Sequence, residues 1–230
     1  MKSSGIKNGL IAGLKKKKDG SYSISIECPS GNVSTNVLRS VTSIAEKYGA
    51  RVHLTTVQKI MLLDLNEKGG REAMRVLKKS GIPVKSKRTL SQAMVCVGKP
   101  YCPLGLQETM PLARYLYDQV SHLEIPPKLK MAISGCPACC SWANMVDVGF
   151  VGTRKGFKVL IGGHGGYKPV VGKLLGTVSS KHEIVEVVRK ATGIFIAHTR
   201  KRGRMSDVID KLGLDFFKKE IPLSMDKSVD

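Results

Sequence analysis

Two cysteine-bearing segments decide how this sequence folds: residues 94–106 read MVCVGKPYCPLGL, and residues 131–140 read MAISGCPACC. Cys96 and Cys102 are separated by five residues, Cys136 and Cys140 by three, and 33 residues lie between the two pairs. Thiolates are soft ligands that suit zinc or an iron–sulfur cluster. Zinc usually takes its cysteines from tighter loops, whereas the corners of a cluster lie further apart than the ligands of one ion. The spacing favours a cluster and leaves zinc, or cysteines that share no metal, as alternatives.

The rest of the chain carries sequence patterns of both helix and strand. In the first half, alternation and helical spacing predict a strand over Tyr22–Cys28, a helix over Val33–Tyr48, a strand over Arg51–Thr56 that continues or turns back through Leu65, and a helix over Arg71–Ser80. This order predicts a small α+β layer with helices on one face of a sheet.

The second half surrounds the cysteines with further elements. We predict a helix over Leu112–Leu123, a strand over Leu129–Ile133, hairpins within residues 149–172, and helices over His182–Ala191 and Ser206–Leu212. The predicted domains are a basic N-terminal arm (1–20), a first domain (21–88), a second domain that holds the cysteines (89–200), and a C-terminal helix and tail (201–230).

Charge and cysteine content restrict the class of protein. The 230 residues carry a net charge of +20, from 38 Lys and Arg against 18 Asp and Glu, which favours anionic partners. The basic clusters contain no aromatic residues for base stacking, so nucleic acid is an unlikely ligand. No apolar run is long enough to cross a bilayer. We predict a cytoplasmic protein. In such a protein, six cysteines favour metal or redox chemistry over disulfides.

The residues around the cysteines resemble the two cluster segments of the sirohaem-dependent sulfite and nitrite reductases. The second segment carries the SGCP motif, DVGFVG follows at residues 147–152, and the Gly162–Gly163 pair resembles the glycine-rich hairpin of the family. In the first half, VHLTTVQ at residues 52–58 is similar to a strand of the family's ferredoxin-like half-domain. The resemblance covers roughly residues 20–200. It implies an α+β fold, a ferredoxin-like half-domain followed by an α/β sirohaem/[4Fe–4S] domain, of the small single-repeat sulfite reductase type.

The resemblance assigns ligands at matching positions. It implies that a [4Fe–4S] cluster is bound by Cys96, Cys102, Cys136 and Cys140, and that the sulfur of Cys140 is also the axial ligand of sirohaem. Cys139 matches a position that the family does not use, so a small buried thiol is the favoured interpretation. Cys28 lies in the first half and is expected to be structural.

Basic residues are the candidates for binding an anionic substrate. Lys128 and Lys130 resemble the family's substrate-binding lysine pair, although two solvated lysines would give the same pattern. The family pair sits in the half without the cluster, so its role here would need a second subunit. Family members that reduce sulfite commonly carry an Arg where Val57 stands, and another near Ser91. Arg51, Arg88 and Lys99 are the nearby residues that could replace them.

Four further residues are candidates for contacts with the tetrapyrrole. Gln58 closes the Thr-Thr-x-Gln stretch, Lys99 lies inside the first cluster segment, His53 lies on the predicted strand, and His164 lies in the glycine-rich hairpin. For both histidines a structural role is the favoured alternative.

These features predict a reductase of sulfite or nitrite. The chain contains no NAD or flavin domain, so an acidic ferredoxin or flavodoxin would supply the electrons. One repeat predicts either a homodimer that completes the site or a pared-down site within one chain. The alternatives are an electron-transfer or tetrapyrrole-handling protein with the same cofactors, and a zinc-stabilised nucleic-acid binder.

Overall fold

The computed structural model describes residues 13–85, 92–123, 129–199 and 203–224, and the chain divides into two compact units, residues 1–87 and 88–230. Each unit has a hydrophobic core of its own. Both combine helices with a sheet, so the predicted α+β class is confirmed.

Over residues 13–85, the first unit has a four-stranded antiparallel sheet and two α-helices. Its strands are β1 (Leu14–Lys16), β2 (Tyr22–Glu27), β3 (Arg51–Leu54) and β4 (Lys59–Leu65), in the order β1-β2-β4-β3. Helices α1 (Thr35–Tyr48) and α2 (Glu67–Lys79) complete it. Residues 14–16 belong to the segment that the sequence pattern assigned to an arm, and they pair with residues 22–24 of β2.

Local signals explain where the helices of this unit begin and end. The side chain of Ser34 accepts a hydrogen bond from Val37 N–H at the start of α1, and Gly49 ends that helix with a left-handed backbone (φ 61°). The buried residues Val41 and Ile44 face the sheet core. The alternation along β2 places Ile24 and Ile26 in the same core.

In the part of the second unit that the structure describes, a five-stranded mixed sheet is combined with four α-helices. Strands β5 (Met94–Val95), β6 (Met131–Ser134), β7 (Val148–Thr153), β8 (Gly156–Ile161) and β9 (Lys173–Val178) lie in chain order. The β5-β6-β7 pairings are parallel, and the β7-β8-β9 pairings are antiparallel. The helices are α3 (Met110–Val120), α4 (Lys181–His198), α5 (Met205–Leu212) and α6 (Leu214–Glu220).

The helices of the second unit cover one face of its sheet. Phe150 of β7 and Val159 of β8 are fully buried in one core with Phe195 of α4 and Phe217 of α6. Residues alternate along a strand, so Val151 and Lys158, which pair across β7 and β8, point to the opposite face. That opposite face borders the cavity described below.

A buried aspartate joins distant parts of this unit. Asp147 Oδ2 accepts a hydrogen bond from Lys130 N–H at 2.8 Å and lies 2.9 Å from Arg204 Nη2, while Oδ1 accepts from Met205 N–H at 3.2 Å. Burial raises the pKa of Asp147, and the Arg204 guanidinium opposes that rise. Asp147 therefore ties the residue before β6 and the start of α5 to the residue before β7.

Several element boundaries differ from the sequence prediction. The α4 helix extends to His198 rather than ending at Ala191, and α6 was not predicted. β6 begins at Met131, so Lys130 lies just outside it rather than within a strand from Leu129. Within the described ranges, no helix has the length and apolar character needed to cross a membrane.

Candidate metal centre and cofactor cavity

The two cysteine segments follow neighbouring parallel strands. Cys96 comes directly after β5, and Gly135 and Cys136 come directly after β6. Val95 pairs with Ile133, and Cys96 N–H donates to Ile133 O at 3.3 Å. Because parallel strands end at the same edge of a sheet, both segments leave the sheet side by side.

Gly135 is the point where the two segments meet. Its carbonyl accepts hydrogen bonds from Leu106 N–H at 2.9 Å and Gln107 N–H at 3.0 Å, both just beyond Cys102. A Cβ at Gly135 would lie 2.9 Å from Gln107 O and 3.0 Å from Gly98 Cα, closer than side chains tolerate. Only glycine lets the first segment wrap this closely around the second.

The sulfur of Cys96 accepts a hydrogen bond within this arrangement. Gly135 N–H donates to Cys96 Sγ at 3.1 Å, and Thr109 Oγ1 donates to Cys96 O at 2.6 Å. Hydrogen bonds of this kind tune the potential of iron–sulfur clusters.

The second segment is a tight turn that presents its cysteines differently. Cys139 N–H donates to Cys136 O at 3.2 Å, and Trp142 N–H donates to Cys139 O at 2.8 Å. The hydroxyls of Ser134 and Ser141 lie 2.6 Å apart and hold the turn to the end of β6. Cys136 is buried, whereas Cys140 is exposed. One predicted ligand therefore faces the interior and another faces solvent.

The candidate donors are thiols carried on two separate segments of the chain. Among the residues that the structure describes, no three His, Cys, Asp or Glu side chains are grouped closely enough to hold one metal ion. All six cysteines are free thiols. The two pairs of predicted ligands are carried on segments that meet at one edge of the sheet.

A cavity of about 810 Å³ borders the open face of the same sheet. Its lining is Leu106, Pro137, Cys139, Asn144, Val151, Thr153, Arg154, Lys155, Lys158 and Leu160. Apolar side chains form much of this lining, and the lining residues that the structure describes include three cations and no carboxylate. A cavity of this size accommodates a large organic ligand. Because Pro137 and Cys139 belong to the second cysteine segment, such a ligand would lie beside that segment.

Sequence analysis missed the three cations of this cavity. Arg154 and Lys155 lie in the turn between β7 and β8, and Lys158 is placed by its pairing with Val151. The signal was a basic turn immediately after DVGFVG, which could have been read as a charged hairpin tip at the same sheet edge as the cysteines.

The predicted basic residues of the second unit lie at different places. Lys128 falls outside the described residues. The Lys130 side chain is exposed at the amino end of β6, about 13 Å of strand away from the cysteines at the carboxyl end. Lys99 is exposed within the first segment. His164 is half-buried beyond the end of β8, where its Nδ1 lies 3.0 Å from Gly165 O.

The predicted residues of the first unit lie on β3 and in the turn that follows it. Arg51 and His53 lie on the exposed edge strand β3, and Arg51 Nη2 pairs with Asp64 Oδ2 at 2.8 Å. Gln58 has a left-handed backbone (φ 57°) in the turn that leads to β4, and its side-chain amide lies beside Gly31.

Two family models match the chain. The nitrite and sulphite reductase 4Fe-4S domain matches residues 86–229, and the nitrite/sulfite reductase ferredoxin-like half domain matches residues 15–80. The predicted order of a ferredoxin-like half-domain and a [4Fe–4S] domain is thereby confirmed.

Curated relatives differ in how much of their length the chain spans. It is 27% identical over 201 residues to an assimilatory-type sulfite reductase of Nitratidesulfovibrio vulgaris, a match that covers 87% of this chain and 92% of the relative. It is also 27% identical over 206 residues to the nitrite reductase (NADH) large subunit of Escherichia coli, but that match covers 88% of this chain and 24% of the relative.

Solved structures share the fold at lower identity. The NirA protein of Mycobacterium tuberculosis aligns with a TM-score of 0.72 and 22% identity, over 89% of this chain and 40% of the NirA chain. Dissimilatory sulfite reductase I aligns with a TM-score of 0.76 and 12% identity, over 91% of this chain and 71% of the other. These likenesses concern the fold alone.

Proposed function

Because the chain belongs to the nitrite and sulphite reductase 4Fe-4S domain family and is an oxidoreductase of that type, we propose that it reduces sulfite at a coupled sirohaem–[4Fe–4S] centre. The sulfite and nitrite reductases of this family carry both cofactors. We favour sulfite over nitrite as the substrate because the chain matches the sulfite reductase relative over nearly its whole length. It matches only about a quarter of the length of the nitrite reductase relative.

The observation that supports this proposal most directly is the meeting of the two cysteine segments at Gly135. We propose Cys96, Cys102, Cys136 and Cys140 as the cluster ligands, with Cys140 also facing the sirohaem iron. The exposure of Cys140 leaves its sulfur accessible to a second group, while the buried Cys136 is accessible only from within. When bound, the coupled centre supplies electrons to the oxyanion.

The chain itself has to hold an anion and deliver protons. Fixed positive charge near the oxyanion stabilises the charge that develops on its oxygens. We propose Lys128, Lys130 and Arg51 for this role, with Lys99, His53, Gln58 and His164 as contacts to the tetrapyrrole. Lys130 and the cysteines occupy opposite ends of β6, so Lys130 would act in the site of a second copy. That geometry favours the homodimer over the self-sufficient single chain.

The electron donor is proposed to be an acidic carrier such as ferredoxin or flavodoxin. The net charge of +20 gives long-range attraction to such a protein. Cysteines that are all free suit a reducing compartment, which supports the cytoplasmic location.

The test is an anaerobic preparation analysed for iron, sulfide and sirohaem, with a visible absorption spectrum. Steady-state reduction of sulfite and of nitrite is then measured with a chemical electron donor. We expect a coloured protein with about five irons per chain, four in the cluster and one in sirohaem, and a higher kcat/KM for sulfite than for nitrite. A protein that contains zinc without iron would contradict it.

A second candidate is an electron-transfer or tetrapyrrole-handling protein that uses the same cofactors. Val57, at a position where sulfite-reducing members commonly carry Arg, favours this candidate. It expects the same spectrum and metal content but no turnover of either oxyanion. The activity assay therefore separates the two functions.

A further inference from the structure

The cavity on the open face of the second sheet has a charged margin. From its place in the fold we infer that Arg154, Lys155 and Lys158, here called the basic rim, bind the carboxylates of the tetrapyrrole. This inference rests on the proposed function, and it adds binding residues that the resemblance does not assign.

The basic rim lies at the same sheet edge as the cysteines. Strands β5, β6 and β7 are parallel, so the turn after β7 emerges beside the segments that follow β5 and β6. Ser134 pairs with Val151, and a Cβ at Gly152 would lie 2.5 Å from Gly135 O. The end of β7 is therefore packed directly against the second cysteine segment, and Arg154 follows two residues beyond Gly152.

A hydrogen bond links the basic rim to the first segment as well. Gln107 Nε2 donates to Thr153 O at 2.6 Å, one residue before Arg154. Leu106, its neighbour, lines the cavity and also donates its N–H to Gly135 O. The same few residues thus shape the metal centre and the cavity wall.

The chemistry of the cavity matches a flat macrocycle with acidic substituents. Leu106, Val151 and Leu160 offer an apolar surface to the ring, and the basic rim offers cations at its margin. Arg154 can form a two-pronged contact with a carboxylate, while the lysines act as point charges. Sirohaem carries many carboxylates and protohaem few, so a rim of three cations distinguishes between them.

The experiment compares two variants of equal charge. Arg154→Gln with Lys158→Gln removes two rim cations, and Arg189→Gln with Lys190→Gln removes two exposed cations from α4, on the face of the sheet away from the cavity. Each full-length protein is prepared anaerobically with its cluster but without tetrapyrrole. It is then titrated with sirohaem and, separately, with protohaem, and binding is followed by absorbance.

The rim variant is expected to bind sirohaem at least about tenfold more weakly than the wild type, because each charge-assisted hydrogen bond contributes about that factor. The α4 variant is expected to stay within about twofold of the wild type, and protohaem affinity is expected to change little in either protein. Iron and sulfide content shows that the cluster and the fold are retained. Lys158→Arg, which keeps the charge, is expected to bind sirohaem like the wild type.

Equal sirohaem affinity in the rim and α4 variants would overturn the inference. So would unchanged sirohaem binding combined with slower reduction by an acidic protein donor, which would make the rim a docking site. A wild type that takes up no sirohaem at all would refute the proposed function itself, a result distinct from either of these.

Discussion

At the scale of residues, the candidate metal centre depends on Gly135 and on the cysteines beside it. The Gly135 carbonyl accepts hydrogen bonds from Leu106 N–H and Gln107 N–H, and the Gly135 N–H donates to Cys96 Sγ. Because Gly135 has no side chain, Gly98 can approach it closely. Cys136 and Cys140 differ in exposure although only three residues separate them. Substitutions at these positions therefore separate ligand roles from packing roles.

Cys139 is the natural control for the proposed ligands. Cys136→Ser and Cys140→Ser each remove a proposed thiolate and are expected to lower bound iron to less than about half of the wild-type content, since the cluster takes four cysteine ligands. Cys139→Ser is expected to keep the full iron content, because Cys139 Sγ faces Asn144 Oδ1 at 3.5 Å in the cavity wall. Iron and sulfide analysis of anaerobic preparations makes the comparison. Loss of iron in Cys139→Ser would show that Cys139 is itself needed to hold the cluster.

Gly135→Ala tests the close approach of the two segments. The added methyl group would press on Gln107 O, so we expect a loss of about 1–3 kcal/mol in the free energy of unfolding, typical of overpacking, and reduced iron content. Gly165→Ala is the matched control, because a Cβ there meets nothing within 4 Å. Denaturant unfolding measures both variants. Equal stability of the two would refute this account of Gly135.

At the scale of elements, the links between strands and helices matter more than any one helix. Asp147 connects the residue before β6 with α5, and the side chain of Glu183 accepts from Ser180 N–H at 2.8 Å at the start of α4. Both carboxylates hold element ends in place, one in the core and one at the surface.

Removing Asp147 is expected to be severe. Asp147→Ala leaves the Arg204 guanidinium in a largely buried site without its carboxylate, which typically costs about 3–5 kcal/mol. The exposed pair of Arg189 with Glu186 provides the control, since Glu186→Ala is expected to cost less than about 1 kcal/mol. Thermal and denaturant unfolding test this ranking. Similar losses in the two variants would contradict the structural role of Asp147.

Glu183 gives a pH dependence whose sign follows from its pKa. Hydrogen bonds from Ser179 N–H and Ser180 lower the pKa of Glu183 below its ordinary value of 4.5. The folded chain thus holds this proton less tightly than the unfolded chain, and the stabilisation is present above pH 4.5 and lost as the pH falls through the lowered value. Glu183→Gln is expected to be less stable than wild type at neutral pH and to approach it in acid. A difference that is constant with pH would contradict this.

Local patterns predicted the elements whose signals lie within them. The residues that cap α1, Ser34 and Gly49, lie directly beside that helix, and the alternation of β2 lies within the strand itself. β1 was not predicted because three residues, Leu14–Lys16, have too little pattern and gain their structure by pairing with β2. The cysteines were identified by their surrounding motifs. The basic rim was not, because Lys158 reaches the cavity only through its register with Val151.

For the whole molecule, the excess of positive charge is the dominant feature. A net charge of +20 accelerates encounters with an acidic carrier, and salt screens that attraction. The same field has little effect on a small electron donor that is not an acidic protein.

Reduction of sulfite by ferredoxin is therefore expected to slow steeply with ionic strength. We expect kcat/KM for reduced ferredoxin to fall by at least about tenfold between low and high salt, as steered associations do. With reduced methyl viologen as the donor, the rate should change by less than about twofold. Stopped-flow measurements with both donors across a salt series provide the test. A flat response to salt with ferredoxin would remove the electrostatic basis for choosing an acidic donor.

The contrast between the buried Cys136 and the exposed Cys140 has a consequence for maturation. If these residues ligate the cluster, the corner at Cys136 is enclosed by the folded chain while the corner at Cys140 stays open to solvent. Iron and sulfide would have to enter before or while the segments close around Gly135. The tetrapyrrole could be inserted afterwards into a protein that is already folded. The order of cofactor insertion, with the cluster first and the tetrapyrrole last, would then follow from the burial of individual cysteines.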